Sequence, residues 1–296
     1  MQTAALSYKL IKKIKDEKFD EEKLQHYVLL IQLGIRDFQV AVVDGNDSRL
    51  IFFEDYVLSE INSYSELLGL LKNLFESHEL LTAGFWKTVK VSVKNNKVIQ
   101  VPTSLFIEEA AEEYLRFNAQ FSPESELALY CSSTKSDAVS IFAVQNDLHK
   151  WLTSVYSNSS LNFVHQSTSL IEGVLDFAKT QKSQRLYIYV DRFKLHILSV
   201  QNQKLVYYNQ FAIKQFADYV KYIMLVMKAL NMDQNNSMVV LWGYIGKNSP
   251  HYQEFYKYIR NVTFGGRPDH LKFGYMFDEI QDHHFFDLFS MNLLDR

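Results

Sequence analysis

The spacing of apolar and polar residues predicts three strands and then a helix early in the chain. Residues 27–33 form an apolar run typical of a buried strand, and residues 38–43 alternate as a second strand. The turn residues 44–47 (Asp-Gly-Asn-Asp) lead into a third strand that begins at residue 50. Ser63 with Glu66 three residues later predicts a capped helix start.

The same order of elements recurs after a polar break at residues 180–184. Strands are predicted at residues 185–190, 193–198 and 204–211, followed by a helix whose apolar stripe includes Val220, Ile223 and Met227. The repeat predicts two α/β lobes with a cleft between them, each built on a mixed five-stranded sheet. We expect an N-terminal lobe of residues 1–182 and a C-terminal lobe of residues 183–296.

The N-terminal lobe contains an inserted α/β segment. A strand at residues 89–93 is expected to turn at Asn95-Asn96 and to return at residues 98–101. A helix beginning near Ile107 is expected to bury Ile107 and Leu115 while glutamates cover its solvent side. The glutamates are therefore interpreted as a solvated face rather than as catalytic carboxylates.

Composition excludes several classes of function for these 296 residues. Their net charge of -3 gives no basic field for a nucleic acid backbone, so nucleic acid is not an expected partner. Cys131 is the single cysteine, which rules out an intramolecular disulfide and a cysteine-based zinc site; no metal site is predicted. The lysines at the start are not followed by an apolar stretch, and no run of eighteen apolar residues occurs. We expect a cytoplasmic protein with no membrane span.

Three stretches carry a resemblance to a known superfamily: residues 27–44, residues 185–200 and residues 284–288 (His-Phe-Phe-Asp-Leu). With the doubled strand-strand-strand-helix unit, the chain resembles the actin superfamily of actin, sugar kinases, heat-shock chaperone ATPase domains and bacterial scaffolds. It also looks like a bacterial family of unknown function assigned to that fold. The resemblance implies two similar lobes of the actin-like ATPase (ribonuclease H-like) type, each a mixed sheet with flanking helices.

The resemblance also implies a nucleotide site built from three loops. In that superfamily two hairpin turns carry Asp-x-Gly, whose carboxylates organise magnesium and whose backbone N–H groups hold phosphates. Here Gly34 is kept in the first turn, but Gln32 replaces the carboxylate. Asp191 is kept in the second turn, but Phe193 stands in place of the glycine.

The third loop of that site is a Gly-Gly turn beside the adenosine. Gly243 matches the first glycine, Tyr244 replaces the second, and Gly246 follows. Ordinary roles in hairpins and at strand ends explain the residues kept in all three loops equally well. Alternation also favours a core position for Phe193, and the loop alignment allows Asp37 or Asp44 to lie nearer the cleft.

These losses predict a non-catalytic actin-like scaffold or protein-binding module with degenerate nucleotide loops. No cofactor is expected, except that weak ATP or ADP binding with Mg stays open through Gly34, Asp191, Gly243 and Gly246. The alternative is an ATP-binding protein, ATPase or phosphotransferase of the same superfamily. The expected partner is another protein or a second copy of the chain. The apolar C-terminus from Phe285 to Leu294 either packs in the core or forms a partner surface.

Overall fold

The computed structural model describes residues 7–133, 135–215 and 217–294. Three strands and a helix follow one another in the predicted order in both halves. The elements of the first half are β1 (Ser7–Lys15), β2 (Tyr27–Leu33), β3 (Asp37–Asp44), β4 (Arg49–Ser59), α1 (Tyr64–Glu76), α2 (Glu79–Thr82), β5 (Thr88–Val93), β6 (Val98–Pro102), α3 (Ala111–Asn118), β7 (Glu126–Ser133), β8 (Ala138–Gln145), α4 (Asn146–Val155), β9 (Ser160–His165) and α5 (Gln166–Phe177). Those of the second half are β10 (Arg185–Val190), β11 (Lys194–Gln201), β12 (Lys204–Ala212), α6 (Ala217–Ala229), β13 (Val239–Gly243), α7 (Pro250–Tyr258), β14 (Val262–Phe264), β15 (Lys272–Phe273) and α8 (Phe286–Ser290).

Two mixed sheets share one strand order. The second sheet runs β12-β11-β10-β13-β14, and the first contains β4-β3-β2-β5-β9 in the corresponding order. In both orders, the first three strands are antiparallel to their neighbours. The last two strands run parallel to the third, which is β10 in the second sheet and β2 in the first. The predicted repeat is therefore a repeat of topology.

The first sheet has seven strands rather than the expected five. The leading segment forms β1, which pairs antiparallel with the edge strand β4, and β15 adds to β4 in parallel. No alternation in the sequence marks β1, because it is an exposed edge strand with lysines along much of its length, and β15 has only two residues.

The inserted segment departs from its predicted pairing. β6 does not return against β5; it pairs with β8 in a separate sheet of order β6-β8-β7. The Asn95 amide donates to the carbonyl of Ala143 at 2.8 Å and its side-chain oxygen accepts from Lys97 N–H, which directs the chain to β8. Ile107 is 57% exposed rather than buried, since α3 begins only at Ala111, whereas Leu115 is buried as predicted.

Helices separate and cover the two sheets. Side chains of β2 alternate, so that Leu29 packs with α1 on one face while Leu30 packs with α8 on the other. α5 packs against the facing side of the second sheet, and α6 and α7 cover its far side. α5 and α8 thus form a central layer between the sheets.

The apolar C-terminus belongs to this central layer. Phe285, Phe286, Leu288 and Phe289 are buried, with Phe285 and Phe289 against Phe53 of the first sheet. The core interpretation of this segment is confirmed, and its interpretation as a partner surface is wrong. Among the helices described, none is long and apolar enough to cross a membrane.

Candidate functional site

The hairpin turns of the two sheets meet at one buried lysine. The β2–β3 turn ends at Asp37 and the β10–β11 turn begins at Asp191. Between them lies Lys94, whose Nζ is 2.9 Å from Asp37 Oδ2 and 3.3 Å from Asp191 Oδ1. All three side chains are buried. The lysine directly follows the apolar strand β5, and its N–H donates to the Leu33 carbonyl at 2.9 Å, which fixes it at the carboxyl end of the sheet.

A second cation joins the turns on one side of Lys94. Arg192, next to Asp191, reaches back to the first sheet and donates to Asp55 Oδ2 at 2.8 Å. Its Nε lies 3.5 Å from Asp37 Oδ2. The other oxygen of Asp55 accepts from the Gln39 amide at 3.1 Å.

Two glutamines complete the connection through the central layer. Gln166, the first residue of α5, donates to Asp191 at 2.9 Å and to Asp287 of α8 at 2.8 Å. Gln32 donates to Asp287 at 2.8 Å and to Gln39 at 3.1 Å. The links close into a ring, which we call the polar ring: Lys94, Asp37, Arg192, Asp55, Gln39, Gln32, Asp287, Gln166 and Asp191.

Burial and charge act in opposite directions on the lysine and its two aspartates. Burial disfavours the charge on Lys94, but Asp191 and Asp37 outweigh it and raise its pKa, so the ammonium stays protonated. Burial raises the pKa of Asp37 to about 6 against the lowering effect of the Lys94 ammonium, and the charge on Asp191 adds to the rise. Burial also acts to raise the pKa of Asp191, but Lys94, the Gln166 amide and the Arg192 N–H lower it below its usual range.

The structure brings two of the four sequence-predicted site residues together. Gly34 and Asp191 line one cavity of about 310 Å³, which Asp37 and Lys94 also line. Gly246 lines a separate cavity of about 570 Å³ with Gly266 and His283. Gly243 lies at the end of β13, paired in register with Val190.

The backbone N–H groups of two predicted phosphate-binding glycines are already used. Gly34 N–H donates to the Asp37 carbonyl at 3.0 Å within its own hairpin. Gly243 N–H donates to the His283 carbonyl at 2.8 Å. Gly243 has φ +90°, and a Cβ there would collide with the Val190 carbonyl, so the glycine is explained by backbone geometry.

Tyr244 takes the position of the second glycine in the third loop and crosses to the first sheet. Its hydroxyl accepts from the Gln39 amide at 2.9 Å, and its ring lies 4.3 Å from the Arg192 guanidinium carbon. Burial raises the pKa of Tyr244 well above its usual range, so the phenol stays neutral. The ring occupies space between the second and third loops.

Phe193 is 54% exposed, so the core position favoured by its alternation is wrong. The turn at residues 191–193 interrupts the alternation, because β11 begins only at Lys194. Arg36 of the opposite turn lies 5.5 Å from the centre of the Phe193 ring. Asp37, which the loop alignment allowed to lie nearer the cleft, lines the same cavity as Gly34 and Asp191.

Sequence reasoning missed Lys94, Arg192, Gln166 and Asp287. Two of them carry a signal, a polar residue at the end of an apolar strand or inside an apolar run: Lys94 follows Val93, and Asp287 lies between Phe286 and Leu288. Gln32, interpreted only as a lost carboxylate, is a structural member of the ring. Within the described ranges, no group of three or more His, Cys, Asp or Glu residues is arranged to hold a metal ion.

Comparison with known proteins agrees with this architecture. The family model described as "Protein of unknown function (DUF3822)" matches residues 16–262. A Bacteroides thetaiotaomicron protein with an actin-like ATPase fold and unknown function is 22% identical, with a TM-score of 0.77 over 94% of this chain and 99% of that one. A chain of the PilM–PilN type IV pilus biogenesis complex is 11% identical, with a TM-score of 0.62 over 90% of this chain and 97% of that one. Curated proteins gave no match. The fold is the actin-like ATPase fold.

Replacing Lys94 with methionine should destabilise the protein strongly. The substitution keeps most of the side-chain volume but leaves two buried aspartates without their shared ammonium, so we expect the free energy of unfolding to fall by about 3–5 kcal/mol. Urea unfolding measures this change. The matched control is Lys12→Met, which removes an exposed pair with Glu279 and should cost at most about 1 kcal/mol. A Lys94→Met loss no larger than that of the control contradicts the role assigned to the ammonium.

The raised pKa of Asp37 should make its contribution to stability fall as pH rises. Between about pH 4 and about pH 6 the folded carboxyl keeps a proton that the unfolded chain has released, so the folded state loses stability there with increasing pH. Asp37→Asn removes this titration, and its stability relative to the unsubstituted chain should improve as pH rises through that window. The measurement is urea unfolding of both proteins at several pH values.

Asp191 acts in the opposite direction, because its lowered pKa gives stability that is present above the ordinary aspartate pKa and lost as pH falls. Its loss of stability falls below the pH window of Asp37, so within that window the difference between the two proteins reports Asp37. If the difference in free energy of unfolding between the two proteins stays constant with pH, or moves in favour of the unsubstituted chain, the pKa of Asp37 is not raised.

Proposed function

We propose that this chain, which belongs to the DUF3822 family of proteins of unknown function, is a non-catalytic protein-binding module whose nucleotide loops are degenerate. The observation that carries the proposal is the Lys94 ammonium between the carboxylates of the two hairpin turns. We further propose that its lobes are residues 1–182 and residues 183–296 and that it works in the cytoplasm.

Phosphoryl transfer depends almost entirely on a positioned magnesium ion and on donors around the γ-phosphate. Magnesium prefers carboxylate and water oxygens, and the carboxylates facing the cleft from these turns are Asp37 and Asp191. Both are paired with a buried lysine, so a metal ion has to displace an ammonium that burial makes costly to leave unpaired.

The remaining parts of the loops support the same conclusion. The N–H groups of Gly34 and Gly243 are bonded within the chain, which removes two donors from any phosphate. Tyr244 and Arg192 stack against each other where the third loop faces the first sheet. Side chains of the protein thus hold the loops together, which favours a structural role for them over turnover.

A protein partner is favoured by two observations. A chain of the PilM–PilN complex has this fold, and its complex is described as serving type IV pilus biogenesis. The inserted segment of the present chain exposes several apolar side chains, among them Leu105, Ile107 and Phe117, the last of which is 88% exposed. A second copy of the chain is the other partner consistent with these features.

The second candidate function is nucleotide binding. The observation in its favour is the cavity of about 310 Å³ at the hairpin turns, which keeps Gly34 and Asp191 on its walls. It requires Lys94 to leave its two aspartates when Mg-ATP or Mg-ADP enters.

We expect no hydrolysis of Mg-ATP above the buffer rate and no micromolar binding in calorimetric titration. The reason is that each lost electrostatic contact to magnesium or to a phosphate typically costs about a hundredfold in rate. Asp191→Ala tests any residual activity, and the exposed Asp147→Ala is its matched control. Turnover that Asp191→Ala abolishes and Asp147→Ala preserves contradicts the proposal. The proposal that the chain binds another protein is tested separately, and it fails if the chain is a strict monomer that captures no partner from lysate.

A further inference from the structure

The mouth of the cavity at the hairpin turns carries exposed apolar side chains from both sheets. Ile35 comes from the β2–β3 turn and Phe193 from the β10–β11 turn, and both are exposed. They line the cavity of about 310 Å³ together with Ala212 and Ile213. A cleft of this kind can bury an apolar side chain of another molecule, and exposed apolar surface is costly to leave in water.

The charges that stay exposed at this mouth are positive. Inside the cavity the charges balance, because three cations are matched by three carboxylates: Lys94, Arg192 and Lys194 against Asp37, Asp55 and Asp191. Arg36, which lines the cavity, and Lys214, which follows Ile213, are exposed, and their side chains make no ion pair within the described ranges. The Arg36 guanidinium carbon lies 5.5 Å from the centre of the Phe193 ring. The mouth therefore suits an occupant that is both apolar and acidic.

The inserted segment of the same chain exposes a stretch with the complementary character. Phe106 and Ile107 have extended backbone, so successive side chains point to opposite sides. Phe106 packs on the core of the insert, whereas Leu105 and Ile107 point away from it and are 64% and 57% exposed. The exposed glutamates at 108 and 109 follow directly. We call residues 105–109 the acidic loop.

The two glutamates of the acidic loop differ in their contacts. Glu108 is hydrogen-bonded to the Tyr130 hydroxyl. The Glu109 side chain makes no ion pair or hydrogen bond in the part of the chain that the structure describes. Glu109 is thus the carboxylate available to a cation such as Arg36 on another molecule.

We propose that the acidic loop of a second copy of this chain docks in the cavity at the hairpin turns. In this contact Ile107 of one copy packs against Ile35 and Phe193 of the other, and Glu109 faces Arg36. A second copy is favoured over an unrelated protein because one chain carries both surfaces, apolar matched to apolar and acidic matched to basic.

The contact joins two different patches, so it is heterologous. Each pair of copies keeps one unused acidic loop and one unused cavity, so further copies can add head to tail. The association should be weak, because few side chains take part and exposed ion pairs contribute little in water.

This inference rests on the proposed function and deepens it, since it names the partner as a second copy and the cavity as the place where it binds. The two fail on different results. The inference fails if self-association is absent or does not involve the cavity, whereas the proposed function fails on ATP turnover or on the absence of any partner.

The test is sedimentation velocity of the full chain from about 1 μM to about 200 μM, over which the average mass should rise. Phe193→Asp places a carboxylate where the acidic loop docks, and Ile107→Lys places an ammonium against Arg36. Each should weaken self-association at least about tenfold. The controls Phe85→Asp and Phe117→Lys make the same changes at other exposed positions and should leave self-association unchanged.

A mixture of the two variants distinguishes this contact from a symmetric one. The Phe193→Asp chain keeps its acidic loop, and the Ile107→Lys chain keeps its cavity. An equimolar mixture should therefore regain an average mass above that of either variant alone. Both positions are exposed, so both variants should fold; Arg36→Glu, also exposed, replaces Phe193→Asp if that variant does not.

The proposal is overturned if the unsubstituted chain stays a monomer over the whole range. It is also overturned if the cavity and loop variants self-associate as the controls do, or if their mixture gains no mass. A monomeric chain that captures a different protein from lysate, and loses it on Phe193→Asp, shows that another protein occupies the cavity; that result overturns the second copy while the proposed function stands.

Discussion

The contact on which the rest of the site depends is the pairing of one buried ammonium with two buried carboxylates from different sheets. Lys94, Asp37 and Asp191 have lost their hydration, and each would be costly to bury alone. Together they join the turn of the first sheet to the turn of the second. Gln166 then donates to the other oxygen of Asp191, while Arg192 and Gln39 donate to the two oxygens of Asp55, so that the polar ring extends from the charges that the lysine brings inside.

The same pairing connects the fold with its proposed function. Hairpin turns at the carboxyl ends of the parallel strands place their carboxylates toward a shared cleft, which is where an actin-like ATPase fold can present oxygens to a metal ion. In this chain Lys94, which directly follows β5, lies between those carboxylates. This cation, built into the protein, joins the two turns without a ligand, and it is the observation on which the proposed binding module rests.

The local features of the fold were predictable because local sequence determines them. Tyr27–Leu33 and Arg185–Val190 form strands with the predicted bounds, and Ser63 caps the helix that it was expected to start. The polar ring was not predictable in the same way. Lys94 meets aspartates 57 and 97 residues away, and Gln32 meets Asp287 across 255 residues, so no spacing or periodicity in the sequence pairs them. The pairing of β6 with β8 escaped prediction because one amide, that of Asn95, redirects the chain.

The most direct test of the central claim is a crystal structure of the protein grown with saturating Mg-ADP. The account predicts that Lys94 Nζ remains between the carboxylates of Asp37 and Asp191, with no magnesium ion at either of them. A structure in which Lys94 has moved away and magnesium, bound to the nucleotide, lies against Asp37 and Asp191 contradicts it.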